Sequence, residues 1–330
     1  GSVTMAGGVE NVVAFLQGIP GFLSGVEIAV PVVGEDGLQI MNDNAPVFDV
    51  PAEYGVLSII SMLAWGLGYF GMPQVLVRFL GIRSADEIKR SRVIAVTWVV
   101  VSLLCAICIG LVGRAALPTM FATNSAAENV FIVLSQIMLP SFMCGIVVSG
   151  ILAASMSSSS SYLLIAGSSV AENIFRGVIK KDATDAQVMI VARITLIAVF
   201  LIGILVASDE NSVIFFVVSY AWAGLGASFG PLTLCALYWR RLTMQGAIAG
   251  MVSGTVTVLV WHNLLSPMGG IFGIYELLPA FIVSLACIVV VSKLTPEPPQ
   301  AVLDEFDHYM DEEPASPAAI EEGGLEQTLV

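Results

Sequence analysis

Seven apolar stretches, each about long enough to cross a bilayer, restrict this chain more than any other feature: 55–80, 91–112, 130–167, 187–207, 213–239, 244–264 and 275–292. A helix of about 20 apolar residues spans the hydrocarbon, where no water is available to an unpaired backbone group. The expected fold class is all-α, a multispanning membrane protein of about seven spans. The third stretch is the longest and is expected to tilt or run past the bilayer. Composition agrees, since only 12% of the 330 residues are charged, against about 25% in ordinary soluble domains.

Charge placement sets the expected orientation. Arg78, Arg83, Lys89, Arg90, Arg92, Arg176, Lys180, Lys181, Arg193, Arg240, Arg241 and Lys293 fall on one side of such a seven-span chain. The other side holds Arg114 alone, with acids such as Asp209 and Glu210. The positive-inside rule places the larger set in the cytoplasm. Residues 1–54, a polar loop region containing Asp36 and Asp43, are then external, 55–293 form the transmembrane region, and 294–330 form a cytoplasmic tail. That tail holds ten of the 26 acidic residues and no Lys or Arg. Its acidity accounts for most of the net charge of −13 and says nothing about nucleic acid. Five prolines between 296 and 317 lead to the expectation of a disordered tail.

Within the third stretch, residues 150–162 read G-I-L-A-A-S-M-S-S-S-S-S-Y. Hydroxyls at membrane depth must meet another helix, a cavity or an ion. On a helix Ala154, Ser157, Ser158 and Ser161 share one face. Neutral oxygens on a slim face suit a monovalent cation; they equally suit close helix packing.

The first stretch carries W-G-L-G-Y-F-G-M-P at 65–73. Its three glycines match dinucleotide-fingerprint spacing, but no strand precedes them. They loosen a helix that Pro73 stops or kinks. Trp65, Tyr69 and Pro73, at i, i+4 and i+8, are expected on one face, either lining a site for a small solute with an apolar body or forming an interfacial aromatic belt. In the fifth stretch Gly226 and Gly230 form G-x-x-x-G, which reads first as close packing and otherwise as a broken, cavity-lining helix.

Other chemistry lacks candidates. Cys105 and Cys108 form C-x-x-C inside a span with no βαβ context, and five cysteines make no disulfide framework. His262 and His308 stand apart in the sequence, so no catalytic or metal cluster is expected and the chain reads as a non-enzyme. Apart from the stretch ends, no Asp, Glu, Lys or His sits mid-span, which disfavours a carboxylate proton relay.

The stretches M-L-A-W-G-L-G-Y-F-G-M-P (62–73), G-I-L-A-A-S-M-S-S (150–158) and S-Y-A-W-A-G-L-G-A-S-F-G-P (219–231) resemble the sodium:solute symporters, most specifically their proline-carrying branch. The likeness runs over about 55–293. It implies a five-plus-five inverted repeat with trailing helices, and sodium-driven import of L-proline across the cell membrane. By the same resemblance the Ala154 carbonyl and the Ser157 and Ser158 hydroxyls are sodium ligands, and Trp65, Tyr69 and Pro73 lie on the proline-site helix. Sodium is then co-transported cargo, and the partners are proline, sodium and the lipid bilayer, with no nucleic acid. The family's first repeat has no counterpart here, so the expectation is a C-terminal fragment inactive on its own. The alternatives are a symporter for another amino acid or a vitamin, and a non-transporting sensor on the same fold. Ser155 stands where the family often has an apolar residue.

Overall fold

Helix formation follows the apolar segments, and departs from them where proline and glycine intervene. The computed structural model describes residues 2–35, 37–42, 45–208 and 213–311. Asp36, Asp43, Asp209, Glu210 and the tail beyond 311, all used in the loop assignments above, lie outside these. Among the described residues six helices are long and apolar enough to cross a membrane, one fewer than the seven stretches because 55–80 does not form such a helix, and the protein is a multispanning all-α membrane protein. The chain divides into two units, Gly1–Glu53 with Leu104–Phe216 and Tyr54–Leu103 with Val217–Val330.

In the first unit, α1 (Ser2–Met5) precedes α2 (Val9–Gly18). Val12, Leu16 and Ile19 bury one side of α2 against Phe22, Phe48 and Leu111. Two short antiparallel ladders follow: β1 (Glu27–Ile28) pairs with β4 (Ala52–Glu53), and β2 (Met41–Asn42) with β3 (Ala45–Pro46). Arg114, near the end of α5 (Ala85–Ala116), fastens this loop region. Its guanidinium donates to Gln39 Oε1 and, at 2.6 Å, to the Pro118 carbonyl, while Gln39 Nε2 donates to the Val47 carbonyl at 2.7 Å.

The third apolar stretch does not form the single long helix expected from it. After α6 (Asn124–Glu128) it splits into α7 (Val130–Met138) and α8 (Ser141–Ser168). Pro140, the residue before α8, has no amide hydrogen and ends the run. Beyond Ser168 the chain continues as an 11-residue π-helix, Ser169–Ile179. A tight connection then leads to α9 (Asp185–Ala207), opened by a capping box between Thr184 and Gln187. Ala171, Ala183 and Val188 close the α8–α9 corner. Most of α5, α8 and α9 is apolar and exposed, as helices solvated by lipid must be.

In the second unit the first apolar stretch is likewise broken. It comprises α3 (Val56–Leu63), a 3-10 helix Ala64–Gly71, and α4 (Pro73–Leu80), with Pro73 at the first helical position. By contrast α10 (Ile214–Tyr238) runs unbroken through Pro231, so the broken-helix alternative for the fifth stretch does not hold. Gly68, Gly71, Gly226 and Gly230 let the 3-10 segment lie directly on α10. A methyl on Gly71 would lie 2.6 Å from the Leu225 carbonyl, and one on Gly226 would lie 2.7 Å from Gly68 Cα. Helices α11 (Met244–Val260) and α12 (Leu277–Leu294) pack as closely. Gly246 faces Ser292 and Gly250 faces Ile288, while Gly254 faces Ala227 of α10. The tail also departs from expectation. Gln300–Asp311 forms a helix, α13, with Leu303 buried, so disorder from residue 294 onward is corrected for this part.

Candidate functional site

Two sets of side chains carry the chemistry read from the sequence, one in each unit. The first is an aromatic cluster around the 3-10 segment. Three residues per turn align i with i+3, so Trp65, Gly68 and Gly71 form one ridge, and Tyr69 is turned a third of a turn from Trp65. The expected α-helical face shared by Trp65, Tyr69 and Pro73 is therefore corrected: Pro73 begins the next helix. Trp65 and Tyr69 nevertheless converge on Trp222 of α10. The Trp65 ring stacks on Trp222 at 5.4 Å between centroids, and Tyr69 meets Trp222 edge-on at 4.8 Å. Trp222 Nε1 donates to the Trp65 carbonyl at 3.1 Å. In a 3-10 turn the backbone carbonyls are less well satisfied than in an α-helix, and this indole supplies a donor.

Tyr275, just before α12, also stacks on Trp65, at 5.8 Å and 16° between planes. Its hydroxyl donates to the Ser219 carbonyl at 2.7 Å, and its amide donates to Ser61 Oγ. Trp65 is thus a packed pillar. Tyr69, half exposed at 50%, presents the more available ring. Beside this cluster His262 Nδ1 lies 3.2 Å from Glu276 Oε1, with the Tyr220 ring 4.3 Å from the imidazole. The histidine that stood alone in sequence has an acid partner in space.

The second set is the serine segment of α8. Leu163 borders the recesses along α9 on both sides, flanked by Ser159 in one and Ser160 in the other. One turn further on, Gly167 lies against Leu196. At about 100° per residue, Ala154, Ser157, Ser158 and Ser161 lie on the opposite side of α8. That face is exposed and is not the one that packs on α9. Three hydroxyls of the segment turn back on the helix: Ser155 donates to the Ile151 carbonyl, Ser160 to that of Met156 and, on the exposed face itself, Ser161 to that of Ser157. A carbonyl accepts two bonds, so these helical carbonyls take a hydroxyl in addition to the backbone amide.

The family model of the sodium:solute symporters matches residues 4–254. The chain belongs to this family. It is 40% identical over 306 residues to the high-affinity proline transporter PutP of Bacillus subtilis (strain 168), covering 90% of this chain and 63% of that protein. It is 37% identical over 258 residues to the osmoregulated proline transporter OpuE of the same organism, covering 78% of the chain and 52% of the relative. A sodium/proline symporter of Staphylococcus aureus is 40% identical over 261 residues, or 77% and 51% of the two chains. The chain spans between about half and two thirds of the length of these relatives.

In this sodium:solute symporter chain, sequence reading named Trp65 and Tyr69 but not Trp222, Tyr275, Ser61 or Ser219 as parts of one cluster. Trp222 and Ser219 stand in the 219–231 motif, where a tryptophan beside glycines was the available signal. Nothing local marked Tyr275, which is 210 residues from Trp65.

Proposed function

We propose that the protein carrying this chain imports L-proline together with sodium across a cell membrane, with its C-terminal tail on the cytoplasmic side and residues 1–54 outside. Family membership over residues 4–254 carries the reading, and the similarity to proline transporters supplies the solute. Trp65 and Tyr69 suit this solute chemically, together with Pro73 at the start of α4. An aromatic wall accepts the apolar pyrrolidine ring, and an aromatic face attracts its ammonium. The Ala154 carbonyl and the Ser157 and Ser158 hydroxyls are hard neutral oxygens of the kind sodium takes. The protein acts by alternating states rather than by bond chemistry, and sodium drives uptake through its different affinity for those states.

The test is uptake of labelled L-proline into proteoliposomes holding the protein that carries this chain, under an inward sodium gradient. Uptake is expected to vanish when potassium replaces sodium and to be competed by unlabelled proline. Uptake indifferent to sodium would overturn the coupling. Sodium-driven uptake of another solute that proline does not compete would overturn the substrate.

A further inference from the structure

Helix α13 is pinned where the sequence offered only an acidic tail. Arg240 Nε and Nη2 donate to the two carboxylate oxygens of Asp307 at 2.7 and 2.6 Å. Arg241 Nη2 donates to the Thr295 carbonyl at 3.3 Å, and its Nε lies 3.8 Å from Glu297. Its remaining nitrogen, Nη1, is enclosed and has no hydrogen-bond partner among the described residues. A recess of about 230 Å³ lies here, bordered by both arginines, Trp239, Glu297, Pro298 and Leu303.

Two observations set the level of this recess. Arg240 and Arg241 follow a 25-residue apolar helix, Ile214–Tyr238, with only Trp239 between. Leu237 and Tyr238 at its end are exposed, and a tyrosine there marks the interface where headgroups begin. The forked guanidinium that holds Asp307 in two places matches a phosphate equally well. The Arg240–Asp307 pair is half exposed on both sides, 50% and 44%, so it is a weak, salt-sensitive tie that a second anion can replace.

We propose that Arg240 and Arg241 form a phosphate site for anionic lipid headgroups, with α13 as its competing intramolecular occupant. Headgroup phosphate takes the fork that Asp307 holds and the free Arg241 Nη1. Asp304, Glu305, Asp307 and Asp311, with no Lys or Arg among residues 300–311, are then repelled by the same anionic surface. Anionic lipid therefore releases α13, and zwitterionic lipid leaves it docked.

The experiment uses the 330-residue chain in nanodiscs of phosphatidylcholine, with or without phosphatidylglycerol. Amide exchange over residues 300–311 is expected to be at least tenfold faster with phosphatidylglycerol. After extraction in mild detergent, Asp307→Asn is expected to retain more phosphatidylglycerol per chain than the parent, and Arg240→Gln with Arg241→Gln to retain less. A role of Asp307 confined to structure would not raise lipid retention. Equal exchange in the two lipids, or unchanged retention in Asp307→Asn, would overturn the proposal. Release of α13 by inorganic phosphate in phosphatidylcholine discs, with none by phosphatidylglycerol, would keep a phosphate site and overturn lipid as its source.

Discussion

Trp222 stacks on the ring of Trp65 and at the same time donates its indole hydrogen to the backbone carbonyl of that residue. One side chain thereby fixes both the orientation of an aromatic wall and the 3-10 backbone from which it projects. Trp222→Phe keeps a stacking ring and loses the donor. The expected cost is about 1 kcal/mol, as for single side-chain hydrogen bonds within membranes. Thermal unfolding of the purified variant in detergent checks it, and an unchanged midpoint would show the bond to be dispensable.

The neighbouring glycines separate packing from flexibility. A methyl at Gly68 would overlap Trp222 Nε1, whereas one at Gly66 meets nothing within 4 Å. Gly68→Ala is therefore expected to lower stability by about 1–3 kcal/mol through overpacking, with Gly66→Ala close to neutral. Paired thermal unfolding measurements decide this, and equal effects would mean that only loss of backbone freedom matters.

The two sides of α8 give the corresponding contrast for sodium. Ser157→Ala and Ser158→Ala each remove one proposed ligand from the exposed face. The expected loss is about 1–3 kcal/mol of sodium binding, or roughly a tenfold rise in the sodium needed for half-maximal proline uptake. Ser159→Ala and Ser160→Ala border α9 instead and should shift that concentration little. Similar small shifts at all four serines would remove the sodium assignment.

Arg114 holds the loop region through contacts to Gln39 and the Pro118 carbonyl. Lysine keeps the charge but lacks the planar fork that reaches both partners. Arg114→Lys is expected to speed limited proteolysis within residues 24–50 several-fold while leaving cleavage near α13 unchanged. No difference between the two regions would show that the ladders hold the loop by themselves.

Acid should undock α13. The hydrogen bonds from Arg240 hold the Asp307 carboxyl below the usual carboxylate range. A depressed folded-state value means that this contribution is complete above the unfolded value, near 4, and is lost as pH falls through the folded one. A nitroxide placed at Met310, with the native cysteines replaced, should tumble slowly at pH 7 and faster below about pH 4. Mobility that stays constant through that window would separate docking from the carboxylate.

Hydropathy located six of its seven stretches as helices able to cross, because length and apolarity determine whether a helix can lie in lipid. It could not locate the interruptions. Pro140 and the glycines at 66, 68 and 71 stand in stretches as apolar as their neighbours, so a window average passes over them. Their break signal is one of backbone geometry. The serine side of α8 was legible because helical spacing alone assigns it. The partners of Trp65 were not, since Trp222 and Tyr275 meet it only through tertiary packing. α13 was missed because composition weighed its acids and the prolines on either side of it without the amphipathic spacing of Leu303 and Phe306.

Pro231 has no amide hydrogen to offer the Ala227 carbonyl one turn earlier, and Gly254 of α11 lies against that same carbonyl. Further along α11, Gly246 and Gly250 lie against Ser292 and Ile288 of α12, and Ser284 donates to the Gly250 carbonyl. Sliding either helix by one residue would drive side chains into backbone that has no room for them. The three helices are consequently a keyed block, geared without backlash. A displacement imposed at the end of α12 reaches the wall of Trp222 as a whole-body motion rather than being absorbed between helices.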